Sequence, residues 1–288
     1  MILLHYKTAL LWNGVFILKL PVINGELAQR IQQSEIDYFT SRISSIGERN
    51  GNPEGVEMKR FGQATAFYIR TMPWPLFNSV KGFSCEDVGH LEAILAFYRE
   101  RERSFQLDIN PAGSSPGMLR ALAEHGLYQA GFHSVLVGRP AEERPSLPAP
   151  ITIRKIDNEQ DFDLYAGIHC VGAGMSAEHK HHFVNNNIGL LNRPGWSLYM
   201  ALWNDVPSAV AVMHSSGGGI ASCTLAATLP ERRRHGLQTA LLQQRMYEAH
   251  EIGCELVVAQ AGFGSTSQHN MERIGMQLAW TRAQWAPL

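Results

Sequence analysis

The sequence predicts an α/β protein built from two copies of one strand, turn, helix and strand module, and three observations carry that expectation. Residues 139–150, RPAEERPSLPAP, contain four prolines and favour an extended, semi-rigid connector. Residues 105–136 and 254–285 align without a gap at a constant offset of 149. In each, a β-forming run leads through a glycine-containing turn into a short helical stretch closed by Gly126 or Gly275, and a second β-forming run follows. The expected organisation is a first domain over 1–138, the connector over 139–150 and a second domain over 151–288.

Within the repeat, Leu107 matches Leu256, Ala112 matches Ala261, Gly113 matches Gly262, Gly126 matches Gly275 and Ala130 matches Ala279. The shared order of elements is stronger evidence than these few identities. Carrying the offset upstream brings a second helix of each half into register, residues 87–102 against 236–252. The first has an apolar stripe at Val88, Leu91, Ile94, Leu95 and Tyr98. On the second, Leu242, Met246 and Ala249 share a face that Leu237 and Leu241 broaden.

Composition limits function more than fold. A chain of 288 residues is comfortable for two domains of ~100 to 150 residues. With 45% hydrophobic and 18% charged residues and a net charge of −1, it has no overall attraction to nucleic acid or acidic membranes. Any basic function must be local. Cys85, Cys170, Cys223 and Cys254 lie far apart without a C-x-x-C pair, so neither a zinc-finger spacing nor a disulfide framework is visible, and a reducing cytoplasm fits best. The first 22 residues are apolar enough to raise a secretory leader, yet Lys7, Asn13 and Lys19 interrupt them and no basic segment precedes them. No uninterrupted apolar run reaches the ~20 residues of a membrane span.

The two upstream helices begin with opposite chemistry. SCED introduces the first: Ser84 can cap it and Asp87 can complete a capping box while opposing the helix dipole. PERRRHG introduces the second, from Pro230 to Gly236, with no Ser, Thr, Asp or Asn to accept the orphan amide hydrogens. An anion is the missing partner. A phosphate or pyrophosphate would accept those N–H groups, sit favourably on the dipole and neutralise Arg232, Arg233 and Arg234, while Gly236 would let it approach the backbone. The competing reading is a solvated charged loop with Glu231 as partial counterweight. A P-loop and a dinucleotide fingerprint are both absent from this turn.

The strand over 220–229, Pro230, Arg233-x-x-Gly236 and the helix after them resemble the acyl-CoA-binding motif of the GNAT acetyltransferase superfamily, Arg/Gln-x-x-Gly-x-Gly/Ala after a strand. The end of the chain, GFGSTSQHNMERIGM followed by LAWTRAQW, looks like the later strand, helix and terminal hairpin of that fold. The resemblance covers residues 151–288, and the first half looks like a degenerate copy lacking the CoA-binding loop. It implies two GNAT-like domains, each a mostly antiparallel central sheet flanked by helices. It further implies pyrophosphate contacts from the backbone amides of Arg234, His235, Gly236, Leu237, Gln238 and Thr239. The pantetheine arm would run beside Ala226, Ala227 and Thr228, with Arg233 at the phosphates and Asn270 lining the cofactor cleft. Two departures stand out: Gln238 replaces a usual Gly or Ala, and Met271 occupies the place of a tyrosine thought to protonate the departing thiolate.

The activity implied is direct transfer of an acetyl group from acetyl-CoA, or another acyl group from its acyl-CoA, to a primary amine of a small acceptor. The alternative is a non-catalytic acyl-CoA sensor with the same fold. Amide polarisation near Ala226 and orientation could carry most of the rate enhancement. Candidate general bases are His214, on a probable strand beside the motif strand, and Glu255, at the start of the next strand, against the plainer reading of both as structural residues. Cys223 lacks a visible His/Asp partner set and reads as packing rather than nucleophile. The run Glu178-His179-Lys180-His181-His182 lacks H-E-x-x-H order and reads as a polar loop or acceptor-binding helix rather than a metal site; the GNAT resemblance implies that this region forms part of the acceptor pocket, lined by Phe183 and residues 185–187. Neither nucleic acid nor membrane is expected as a partner, since one basic patch without an aromatic ladder is poor nucleic-acid chemistry. The first half is left as scaffold, acceptor wall or surface of a homodimer.

Overall fold

Long apolar runs make most strands of this chain buried on both faces rather than alternately exposed, and the computed structural model, which describes residues 9–12, 15–18 and 20–288, joins all but two strands into one sheet. Lys7, Asn13 and Lys19, which interrupt the apolar first 22 residues, lie outside the described residues. A small antiparallel ribbon, β1 (Ala9–Trp12) and β2 (Val15–Leu18), comes first. Then follow α1 (Gly25–Gly47), β3 (Val56–Phe61), β4 (Ala64–Ile69), β5 (Ser79–Lys81), α2 (Leu91–Arg99), β6 (Gln106–Ile109), α3 (Pro116–Glu124) and β7 (Leu127–Gly138). After the connector come β8 (Ile151–Ile156), α4 (Glu159–Gly172), α5 (Lys180–Asn187), β9 (Trp196–Trp203), β10 (Val206–Ser215), β11 (Ile220–Thr228), α6 (Leu237–Glu251), β12 (Leu256–Gly262), α7 (Thr266–Arg273) and β13 (Gln277–Pro287).

The 11 strands run β3-β4-β5-β6-β13-β7-β12-β11-β10-β9-β8. Only β5 with β6 and β11 with β12 are parallel; every other neighbouring pair is antiparallel. The two halves exchange their last strands. β7 of the first half pairs with β12 of the second, and β13 of the second pairs with β6 of the first. At the centre His133 faces Arg282, its own counterpart at the repeat offset, so antiparallel pairing of the repeats places a local twofold relation there. The connector lies against α6, where the Ala141 amide donates to the Met246 carbonyl at 3.0 Å.

The sheet buries both faces. Around α6, Leu237, Leu241, Met246 and Ala249 pack on Ala221, Val257 and Ala259; around α2, Leu91, Ile94 and Tyr98 pack on Ala66, Val80 and Leu107. On the opposite face α4 covers Val210 and Val212, while α1 covers Val258 at one end and Phe67 and Ile69 at the other. The 23-residue α1 is the element sequence patterning did not announce. Asn24 caps it by accepting from the Leu27 amide, and Leu27, Ile31, Phe39, Ile43 and Ile46 form its buried face across both halves.

Ser84 and Asp87 form the expected capping box, but on a 3₁₀ turn (Cys85–His90) that precedes α2 rather than on one continuous helix. The Asp87 carboxylate accepts from the Gln63 amide at 2.8 Å, the Ser84 amide at 3.0 Å and the Ser84 hydroxyl at 2.9 Å. The first half thus supplies its own anion where the second has none. Asp87→Ala is expected to cost about 1–3 kcal/mol of stability by leaving those donors unmet, read as a lowered urea midpoint. Coenzyme binding by the second half should be unchanged in that variant.

Candidate functional site

β11 and β12 are paired only from Ile220 with Leu256 to Cys223 with Ala259, after which they part. On its other edge β11 slips against β10: Val212 faces Thr224 but Val210 faces Ala227, so Leu225 and Ala226 oppose a single residue. Leu225 takes φ 47°, an uncommon conformation for a branched side chain. Parting frees the β12-facing edge of this strand end, and the bulge takes Leu225 and Ala226 out of register with β10, while Ala227 and Thr228 stay paired with Val210 and Ala209. A cleft of about 1140 Å³ opens there, walled by Ala226, Ala227, Thr228, Gln260 and the start of α6.

The turn into α6 runs through a 3₁₀ segment (Pro230–Arg232), Arg234 at φ 66° and Gly236 at φ 78°. Gly236 occupies the cap position and no side chain caps the helix. Among the described residues, the amides of Arg234, His235, Gly236, Leu237, Gln238 and Thr239 find no protein acceptor. Six successive donors beside the positive end of a 15-residue helix make an anion site by backbone geometry alone. A Cβ built on Gly236 would meet nothing nearer than Ile151 Cδ1 at 4.0 Å, so the glycine serves its positive φ and an unobstructed approach. Arg232, Arg233 and Arg234 line the cleft, and Arg233 Nη2 donates to the Gly172 carbonyl at 3.0 Å, tying the turn to the end of α4.

Gln238 does not simply crowd the helix start. Its Nε2 donates to the Ala227 carbonyl and Thr228 Oγ1, both at 2.9 Å, and stands 3.4 Å from the Val210 carbonyl. It stitches the first turn of α6 to β11 just beyond the bulge, a task Gly or Ala could not perform. The His235 ring packs on Trp203 at 4.5 Å, leaving its backbone at the turn. Asn270 and Met271 of α7 are both in the cleft wall, and Asn270 Oδ1 accepts from Arg273 Nη1 at 2.9 Å.

The structure brings together Ala226, Ala227, Thr228, Arg233, Arg234, Gly236, Leu237, Gln238, Thr239 and Asn270, and leaves both nominated bases outside the cleft wall. His214 is buried between Trp196, 4.7 Å away, and Tyr38, 6.5 Å away, and burial lowers its pKa to about 4. Its strand position faces the α1 side, away from the parted edge of β11. Glu255 is exposed at the opposite end of β12 and pairs with Arg30 of α1 at 2.9 Å. Cys223 does line the cleft, with burial pushing its thiol pKa up. The His181 and His182 rings lie 3.8 Å apart at a 40° tilt, and among the described residues no three His, Cys, Asp or Glu side chains converge to hold a metal.

His169 of α4 is the residue sequence reasoning missed. It lines the cleft, interacts with the Leu225 backbone at the bulge, and leaves Nδ1 buried without a partner. Burial, reinforced by the Arg42 charge, lowers its pKa to about 4, so the ring is neutral near pH 7 and Nδ1 can accept a hydrogen bond. Nothing local in GIHCVG marks it; only the packing of α4 under the bulge does.

In the first half, β5 and β6 also part, after Val80 with Leu107, but the space there is about 20 Å³. Gln32, Glu35 and Ile36 of α1 fill it together with Lys81, Asp108 and Arg282. Lys81 Nζ lies 2.7 Å from both Glu35 Oε1 and Asp108 Oδ2, and Arg282 Nη1 bonds Glu35 and stands 3.5 Å from Asp108. A plug of two cations and two carboxylates occupies the position corresponding to the open cleft.

No family model matches the chain, and no curated protein matches it. Solved structures do. A GCN5-related N-acetyltransferase from Kribbella flavida superposes with TM-score 0.65 at 15% identity, covering 91% of this chain and 95% of its own. A GCN5-related N-acetyltransferase from Sphaerobacter thermophilus gives TM-score 0.57 at 15% identity over 92% and 93%. A tandem GNAT protein from the clavulanic acid biosynthesis pathway gives TM-score 0.58 at 13% identity over 92% and 96%. The fold is the GNAT fold in tandem form, with a mostly antiparallel sheet flanked by helices in each half. Among the described residues no helix is long and apolar enough to cross a membrane.

Proposed function

We propose that the chain is an acyl-CoA-dependent N-acyltransferase, with acetyl-CoA as donor and a small primary amine as acceptor. The observation that carries this reading is the row of six unpartnered amides at the start of α6, opening onto the parted edge of β11. A bound acyl-CoA supplies an activated thioester. The amides of residues 234–239 hold its diphosphate, and Arg232, Arg233 and Arg234 add counter-charge. The edge of residues 226–228 that faces away from β10 orients the pantetheine arm and offers backbone N–H to the carbonyl as negative charge builds on its oxygen. Transfer forms the acceptor's C–N bond and breaks the C–S bond; the amine gives up a proton and the departing sulfur takes one. Neutral His169 accepts a hydrogen bond from the amine, while Met271 can donate no proton to sulfur.

Met271 and the distance of His214 and Glu255 from the cleft favour a second reading, an acyl-CoA sensor without turnover. Calorimetric titration with acetyl-CoA, followed by product assay over an amine panel, separates the two. Binding with turnover supports the enzyme, and binding without product supports the sensor. Absence of binding rejects both. Arg233→Ala is expected to weaken binding about tenfold, on the order of 1.4 kcal/mol.

A further inference from the structure

Behind the cleft, α1, α4 and α5 enclose polar groups that folding leaves unmet. Arg42 of α1 is buried; its Nε donates to Asn187 Oδ1 at 3.0 Å and its guanidinium stands 5.3 Å from the Phe77 ring. Among the described residues no carboxylate lies within ion-pair distance of it. Three further buried atoms on α4 and α5 have no hydrogen-bond partner: the Tyr165 hydroxyl, His169 Nδ1 and Asn186 Oδ1. The two on α4 belong to one neighbourhood, whereas Asn186 on α5 turns its Nδ2 toward Met72 Sδ, 3.7 Å away. The Tyr165 and His169 rings are 5.9 Å apart, Phe183 lies 5.7 Å from the first and 4.5 Å from the second, and the Phe183 carbonyl accepts from Asn187 Nδ2 at 2.8 Å. Asn187 closes the circuit to Arg42. His169 and Tyr38, the latter one turn before Arg42, are also part of the cleft wall.

Each of these groups is costly where it stands. A buried cation without a carboxylate loses hydration with no ion pair in return, and each unmet polar atom adds its own desolvation penalty. Their types are complementary to one kind of molecule. Arg42 and the Tyr165 hydroxyl donate and suit a carboxylate; His169 Nδ1 accepts and suits the N–H of an amine. His169 is also the member next to Leu225, where the acyl carbon would be presented.

We propose that the acceptor is an amine that carries a carboxylate, an amino acid or close relative, with its carboxylate on Arg42 and Tyr165 and its amine at His169. This identification of the acceptor class rests on the acyl-transfer reading for its chemistry but not for its binding. The test is therefore calorimetry on the full chain without coenzyme, using the proteinogenic amino acids, β-alanine and γ-aminobutyrate, each beside its methyl ester. At least one free acid should bind 30-fold or more tightly than its ester. Arg42→Gln should abolish that preference and Arg42→Lys restore part of it. Equal affinity of acid and ester, or no binding by any acid, overturns the proposal. Should Arg42→Gln fail to fold by circular dichroism, the acid-to-ester ratio of the unaltered protein decides alone. Acids that bind while acetyl-CoA does not would sustain this site and reject the acyltransferase.

Discussion

Lys81→Met is expected to lower the free energy of unfolding by about 3–5 kcal/mol, because it leaves two buried carboxylates facing one guanidinium. Glu35 and Asp108 are both in contact with Lys81, and all four members of the cluster with Arg282 are largely shielded from water. Burial by itself would raise the two carboxyls, but Arg282 and Lys81 beside Glu35, and the same two cations beside Asp108, hold both well below the usual carboxylate range. The sign of the pH dependence follows. A depressed carboxylate contributes stability that is present above its unfolded pKa, near 4, and is lost as pH falls through its lower folded pKa. Urea denaturation at pH 7 should show the full difference between Lys81→Met and the parent, and the difference should shrink on acidification below about pH 4. An unchanged midpoint at pH 7 would mean that the plug does not hold the halves together. Because Glu35 comes from α1, Lys81 and Asp108 from the first half and Arg282 from the exchanged β13, loss of this cluster loosens the junction rather than one surface.

Gly236→Asp is expected to weaken acetyl-CoA binding at least 100-fold, about 2.7 kcal/mol, while leaving the fold intact. Aspartate tolerates positive φ better than most residues, and Gly236 has open space around its Cα. Its carboxylate would take the orphan amides at the α6 start, much as Asp87 serves the corresponding turn of the first half, and would repel the diphosphate. Gly236→Asn separates charge from backbone conformation: it has a similar tolerance of φ and no charge, and should lose far less affinity. Parallel loss in both variants would point to conformation as the cause. Retained binding in Gly236→Asp would place the coenzyme elsewhere.

What could be read from the amino acids was local. The uncapped start of α6, the capping box at Ser84 and Asp87, and the glycines ending α3 and α7 each depend on neighbours a few residues away, and all are present, although the box closes a 3₁₀ turn ahead of α2 rather than one continuous helix. The mixed sheet in two similar halves was legible because one grammar recurs at a fixed offset. Exchange of β7 and β13 was not, since an antiparallel strand fits either half equally well by its own alternation, and only long-range pairing decides. α1 was not legible in the sequence, and its polar positions, including Glu35 and Arg42, gain meaning only from what lies across from them. His214 sits on a strand adjacent to the motif strand, as expected, yet strand alternation turns it toward Trp196 and Tyr38. His169 lies over 50 residues upstream of the bulge it serves, and no sequence spacing connects the two.

The most direct measurement is a crystal structure of the protein with saturating acetyl-CoA. It should show diphosphate oxygens about 3 Å from backbone nitrogens between Arg234 and Thr239, with the pantetheine arm beside residues 226–228. A diphosphate bound elsewhere, or a turn whose amides have closed onto the protein's own side chains with no coenzyme present, would contradict the account.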